Sequence, residues 1–85
     1  MVKIEVFGSG CANCQRLEEM AKAAVVNLGI EAQVEHVTDV KQIMAHGVMA
    51  TPGLAVNGKI VSKGRVPSAS EVMSLIANVL SEEEA

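Results

Sequence analysis

VKIEVFGSGCANCQRLEE, residues 2–19, decides the fold. Val2, Ile4 and Val6 alternate with Lys3, Glu5 and Phe7, the period of a β-strand, and Gly8 and Gly10 end it. Behind them Leu17, Ala21, Ala24 and Leu28 recur at helical spacing, with Met20 and Val25 flanking the stripe. Gly29 suits the left-handed residue that closes a helix. Cys11 and Cys14, the only two cysteines of the chain, fall at the junction of strand and helix.

The remaining elements follow from the same kind of pattern. EAQVEHVT, residues 31–38, alternates through Ala32, Val34 and Val37 and reads as a second strand. Asp39 and Gln42 stand at capping-box spacing, Val40, Ile43 and Met44 share one face, and Gly47 follows, which predicts a short helix. GLAVNGKIVSK, residues 53–63, is a hairpin by its Asn57-Gly58 pair, since a type I′ turn needs positive φ at both central positions. The last helix opens at Ser68 with Glu71 three residues on and buries Val72, Leu75, Ile76 and Val79. The order is β-α-β-α-β-β-α, an α/β fold.

Two strands joined through a helix are expected to be parallel, whereas a hairpin is antiparallel. The expected architecture is a four-stranded mixed sheet flanked by three helices on both faces, with the first strand central. Eighty-five residues make one domain, 1–85. No linker or repeat interrupts it, and the only biased segment is an acidic tail at Glu82–Glu84.

Composition narrows the function. Apolar residues make up 49% and charged residues 20%, which is globular and not disordered. Phe7 is the only aromatic residue, so Val, Leu, Ile, Ala and Met build the core. A net charge of −3 with no basic stripe and no stacking aromatics excludes nucleic-acid binding. No stretch approaches the ~20 apolar residues of a membrane span, and the start has no signal-peptide pattern. A cytoplasmic location is expected, where a close cysteine pair binds metal or does redox chemistry more often than it forms a structural disulfide.

A cysteine at a helix N-terminus faces free backbone N–H groups and the positive end of the helix dipole. Such positions and CxxC spacing lower a cysteine pKa from ~8.5 into the range ~3.5–7.5, favouring the nucleophilic thiolate. Cys11 is the expected exposed attacker. Cys14, one turn inside, is the expected buried resolver, close enough to close a short disulfide and release a bound partner. Gly8, Ser9 and Gly10 leave the approach to Cys11 clear of bulk. A zinc site would need two further ligands, and only His36 and His46 remain, at a separation that misses the usual spacing. A copper or zinc carrier using the same two sulfurs is the rival reading, as are two inert buried thiols. Against the copper carrier, small metal-binding domains with CxxC after the first strand usually carry Met where Ser9 stands.

GSGCANCQRLE, TPGLAV and GRV, at residues 8–18, 51–56 and 64–66, sit at a joint spacing that covers nearly the whole chain. With them the chain resembles the thioredoxin superfamily in its shortest form, and more narrowly the small thioredoxin-like redox-active disulfide proteins of archaea and bacteria. The resemblance implies a cis Thr51–Pro52 bond, with Thr51 backbone groups pairing with a bound substrate chain. It implies that Gly64 lets the backbone pass near the active-site disulfide; a plain strand-ending turn is the other reading. Glu5 lies where thioredoxins carry a buried acid that moves a proton for the resolving cysteine, so it could serve Cys14. Alternatively, Lys3 and Glu5 form the wetter face of the first strand.

The expected function is thiol–disulfide exchange with protein disulfides. Cys11, Cys14 and Glu5 would be catalytic, while Gly10, Ala12, Asn13, Thr51, Pro52 and Gly64 would contact the substrate. No cofactor is expected beyond the Cys11–Cys14 redox-active disulfide, and electrons would come from a separate thioredoxin-reductase-like donor. The motif itself departs from the usual Trp-Cys-Gly-Pro-Cys, reading Gly10-Cys11-Ala12-Asn13-Cys14, so thioredoxin's own potential does not transfer. KGRVPSAS, residues 63–70, lacks the glutaredoxin Gly-Gly, so glutathione is not an expected ligand. Lys63 and Arg65 either favour a thiolate or an acidic partner or are simply solvated. His46 is explained by its helix end and His36 as a strand residue, while Met49 could touch a partner. With few aromatics for contact, a monomer with brief partner encounters is expected.

Overall fold

The computed structural model describes residues 1–8, 12–48 and 50–84. Its elements are β1 (Val2–Phe7), α1 (Ala12–Leu28), β2 (Ala32–Val37), α2 (Val40–Ala45), β3 (Gly53–Val56), β4 (Lys59–Lys63) and α3 (Ala69–Glu84). The strand order is β2-β1-β3-β4, which puts β1 inside the sheet as its sequence position predicts. β1 and β2 are parallel from Val2↔Ala32 to Phe7↔Val37. β3 runs antiparallel to β1, from Ile4↔Val56 to Phe7↔Gly53, and β4 runs antiparallel to β3.

Alternation divides the core between the two faces of the sheet. Ile4, Val6, Leu54 and Val56 meet Leu17, Ala21 and Ala24 of α1 and Val72, Ile76 and Val79 of α3. The opposite face holds a smaller cluster of Phe7, Ala55, Ile43 and Val48, with Val37 and Ile60 at its edge. Ile43 is therefore what ties α2 to the sheet. Val40 and Met44, expected on one face with it, are both exposed. Six residues make less than two turns, and a helix that short buries one side chain rather than a stripe. Asp39 does cap α2, but its carboxylate accepts from the Lys41 N–H at 2.9 Å and not from residue 42.

The hairpin turn is as predicted, with φ of 51° at Asn57 and 86° at Gly58. Asn57 does more than turn the chain. Its N–H donates to the Lys3 carbonyl at 2.7 Å, and its Oδ1 accepts from the Lys3 N–H at 2.8 Å. Its Nδ2 donates to the Glu83 carboxylate at 2.7 Å, and Lys59 pairs with Glu82. The acidic run is therefore not a tail. It is the last turn of α3, held against the hairpin. These contacts offset the unfavourable placement of the Glu82 and Glu83 carboxylates at a helix C-terminus, which has no basic residue of its own.

Candidate functional site

Cys14 lies in the first turn of α1, fully buried and disulfide-bonded. The end of β1 makes room for it: a Cβ at Gly8 would overlap the Cys14 Sγ. Gly8 is held in place by its N–H, which donates to the Val37 carbonyl at 3.0 Å. The sequence reading treats Gly8 as clearance for Cys11 and misses this contact. A glycine closing a strand just before a CxxC was the available signal.

Across the sheet, Phe7 pairs with Gly53, and extending that antiparallel register by one residue sets Gly8 against Pro52. The Thr51–Pro52 peptide bond is cis, Pro52 is buried and Thr51 is exposed. Gly53 gives the strand its close approach, because a Cβ there would stand 2.8 Å from Val48 Cγ1. Beyond β4, Gly64 has a φ of 75° and donates its N–H to the Pro52 carbonyl at 2.9 Å. A Cβ at Gly64 would also press on that of Ala50 at 3.2 Å. Gly64 is thus a left-handed, strand-ending turn that lies against the Pro52 segment. Cys14, Gly8, Pro52 and Gly64 are brought together at one end of the sheet.

Ala12 and Asn13 are exposed in the first turn of α1, ahead of Cys14. Gly10, Cys11 and Met49 lie outside the described residues. Glu5 is buried while Lys3 is exposed, so the polar face of β1 is wet at one end only. Alternation turns Glu5 toward the α2 face, where its register partners are Glu35 and Ala55. Glu35 is drawn to Lys3 at 3.7 Å, and the Glu5 carboxylate makes no hydrogen bond among the described residues.

The remaining polar groups sort into structural and free. His46 is the C-cap of α2, and its Nδ1 donates to the Gln42 carbonyl at 2.7 Å, satisfying a helix-end acceptor. Its ring also lies 5.1 Å from that of Phe7. His36 Nδ1 stands 3.9 Å from the Glu18 carboxylate on α1. Arg65 is paired with Glu71 of α3, whose N–H is in turn capped by Ser68 at 3.2 Å. Lys63, one residue from Gly64, is exposed and makes no ion pair among the described residues. No group of three metal-ligating side chains occurs among the described residues, and none of their helices is long and apolar enough to cross a membrane.

A four-stranded mixed sheet with three helices, a buried cysteine at the start of α1 and a proline-led strand beside it define a thioredoxin-like protein. Comparison with known proteins agrees. The family model described as Thioredoxin domain matches residues 2–77. A thioredoxin of Methanothermobacter thermautotrophicus is 46% identical over 77 residues, covering 91% of this chain and 100% of its own. A thioredoxin of Methanocaldococcus jannaschii is 42% identical over 80 residues, covering 94% of this chain and 92% of its own. The chain belongs to the thioredoxin family.

Proposed function

We propose that the chain is a thiol–disulfide oxidoreductase whose redox couple is Cys11 and Cys14. The observation that carries this reading is the buried, disulfide-bonded Cys14 in the first turn of α1, seated on Gly8. The Cys11 thiolate attacks a sulfur of a partner protein's disulfide, forming a mixed disulfide and releasing the partner's first thiolate. Cys14, as thiolate, then attacks the Cys11 sulfur and releases the second. Two electrons pass to the partner and Cys11–Cys14 is left oxidised, to be reduced by a separate dithiol donor such as a thioredoxin-reductase-like enzyme. During the exchange the partner chain lies along the exposed Thr51 edge, with Ala12, Asn13 and Gly64 around it.

The resemblance to thioredoxins makes Glu5 the candidate acceptor for the Cys14 proton, and it is a buried carboxylate with no hydrogen-bond partner among the described residues. Glu5→Gln should shift the titration of the Cys14 thiol, followed by thiolate absorbance. An unchanged titration removes Glu5 from the mechanism.

The couple itself is tested by titrating the metal-free protein in defined dithiol buffers and following the Cys11–Cys14 disulfide by mass. A reversible two-electron transition between about −180 and −300 mV is expected, the range of known exchange proteins. If no intramolecular disulfide forms and the reduced protein holds a stoichiometric soft metal, a copper or zinc carrier using the same sulfurs replaces this reading.

A further inference from the structure

Among the described residues two buried polar atoms have no hydrogen-bond partner, His36 Nε2 and Ser62 Oγ. Both lie in one row across the sheet, since Val6 pairs with His36 and Leu54, and Leu54 pairs with Ser62. Ser62 is two strands away from β1, whereas His36 is on the strand beside it. A buried acceptor without a donor is costly to a fold, and this one belongs to a side chain that titrates near neutrality.

The surroundings of His36 are those of Cys14. Alternation puts His36 with Val6 on the α1 face of the sheet, and its Nδ1 faces the Glu18 carboxylate of α1 at 3.9 Å. Gly8 stands two residues beyond Val6 and shares that face, where a Cβ on it would overlap the Cys14 Sγ. Gly8 is tied to β2 by its hydrogen bond to the Val37 carbonyl, one residue from His36. Two residues along a strand and one strand across separate the Gly8 and His36 backbones by roughly 8 Å. Cys14 and Glu18 are one turn apart on α1, so the helix sets thiol and carboxylate along one edge. The imidazole lies under that edge, with Nδ1 toward the carboxylate and Nε2 shielded from solvent. Of the charged side chains of α1, Arg16, Glu19 and Lys22 are exposed, and Glu18 alone is partly buried, against the ring. From β1 the ring meets Val6, and on β2 its face is shared by Val34. Lys3, Glu5 and Glu35 lie on the opposite face of the sheet.

We infer that His36 is a proton acceptor for Cys14, and that Glu18 is the positioning residue that orients the ring and balances the charge it gains. The inference rests on the exchange reading and adds to its proton step a second group beside Glu5, on the thiol's own side of the sheet. In the disulfide Cys14 has no proton to give, and Nε2 is an acceptor without a donor. Reduction supplies the donor as an S–H. Its proton passes to Nε2, directly or through one water, leaving a Cys14 thiolate and an imidazolium against Glu18. The thiolate electron pair forms the bond to the Cys11 sulfur, and the bond from Cys11 to the partner breaks with its electrons on the partner's sulfur. The imidazolium returns its proton to that leaving thiolate or to water, and the ring ends neutral. A nucleophile, its base and a third group that orients the base is the general arrangement for activating a weak nucleophile.

The test is a stopped-flow reaction of the reduced full-length protein with dithionitrobenzoate, a coloured aromatic disulfide. Its first thiolate is released by the attack of Cys11 and its second by the resolving attack of Cys14. A cysteine of ordinary pKa, ~8.5, is a few per cent thiolate at neutral pH, so His36→Gln should slow the second release on the order of 10-fold there. The deficit should close above about pH 9, where the thiol ionises unaided, and the first release should be unchanged. Glu18→Gln should displace the profile in the same direction by a smaller amount, and it carries the test should His36→Gln not fold. Glu19→Gln, the same charge change one residue on, should leave the profile in place. An unchanged pH profile for the second release in His36→Gln, or in Glu18→Gln where it stands in, overturns the inference. So does an equal loss at every pH, which a purely structural histidine would give. The exchange reading stands in either case. If the unsubstituted protein releases one coloured thiolate and never the second, the exchange reading falls and this inference with it.

Discussion

Cys14→Ser is expected to stop catalytic turnover while leaving the first attack intact, so that the protein accumulates as a mixed disulfide with its substrate. The reason lies in the division of labour between the sulfurs. Cys14 is fully buried and held against Gly8, a position from which it cannot meet a large partner, and in the proposed exchange its target is the Cys11 sulfur of the mixed disulfide. Groups oriented in this way act at effective concentrations that reach ~10⁵ M, against millimolar external thiol. Even a small part of that advantage makes the loss of turnover on the order of a thousandfold. Serine is nearly isosteric and cannot be displaced onto sulfur, so the fold should be kept. Mass spectrometry of the variant with a disulfide substrate would show the covalent adduct, and added dithiol would release it. A variant that still turned over at a tenth of the normal rate would mean that Cys14 is not the resolving thiol.

The parts of this fold that were legible are those where a local pattern and a tertiary contact ask for the same thing. β1 and α1 are read from strict periodicity, and the core confirms each position, from Ile4 and Val6 to Leu17, Ala21 and Ala24. Asn57-Gly58 is legible because positive φ is a local demand. What that asparagine binds is not local: Glu83 is 26 residues away, and a run of like charges read alone gives no sign of a partner. α2 fails for another reason. In six residues a helical stripe and three apolar residues in loose order cannot be told apart, so Val40 and Met44 look as buried as Ile43.

The site divides in the same way. The CxxC and the Pro52 strand start carry their chemistry in residue type and spacing. The Gly8 contact with Cys14 and the turn of Gly64 onto Pro52 exist only once β1, β3 and β4 are in register. Lys63 and Arg65 were indistinguishable in sequence. Only α3, by supplying Glu71, separates a paired cation from an available one.

Phe7→Ala should be among the most destabilising single substitutions in this chain. Phe7 is the sole aromatic residue, has no exposed surface, and is the largest member of the small cluster beneath α2. That cluster has few other members to close over a void, so the cavity term should be near its full size. Removing a buried phenylalanine costs ~3–5 kcal/mol. Domains have a total stability of ~5–15 kcal/mol, so about a fifth or more of it would be lost. With a urea slope of ~1–3 kcal/mol/M the midpoint should fall by about 2 M. The loss would also reach the site, because Phe7 pairs with Gly53, and its cluster holds Ile43 of α2 and Val48, which lead into the Thr51–Pro52 segment. Reduction of a disulfide substrate should therefore weaken below the temperature at which the variant unfolds. Phe7→Leu keeps most of the volume and should cost less than ~1.5 kcal/mol, giving a folded reference should the alanine variant not be purified. If Phe7→Ala lowers the midpoint no more than Phe7→Leu, the α2 side of the sheet contributes little to stability, and the α1–α3 core alone holds the fold.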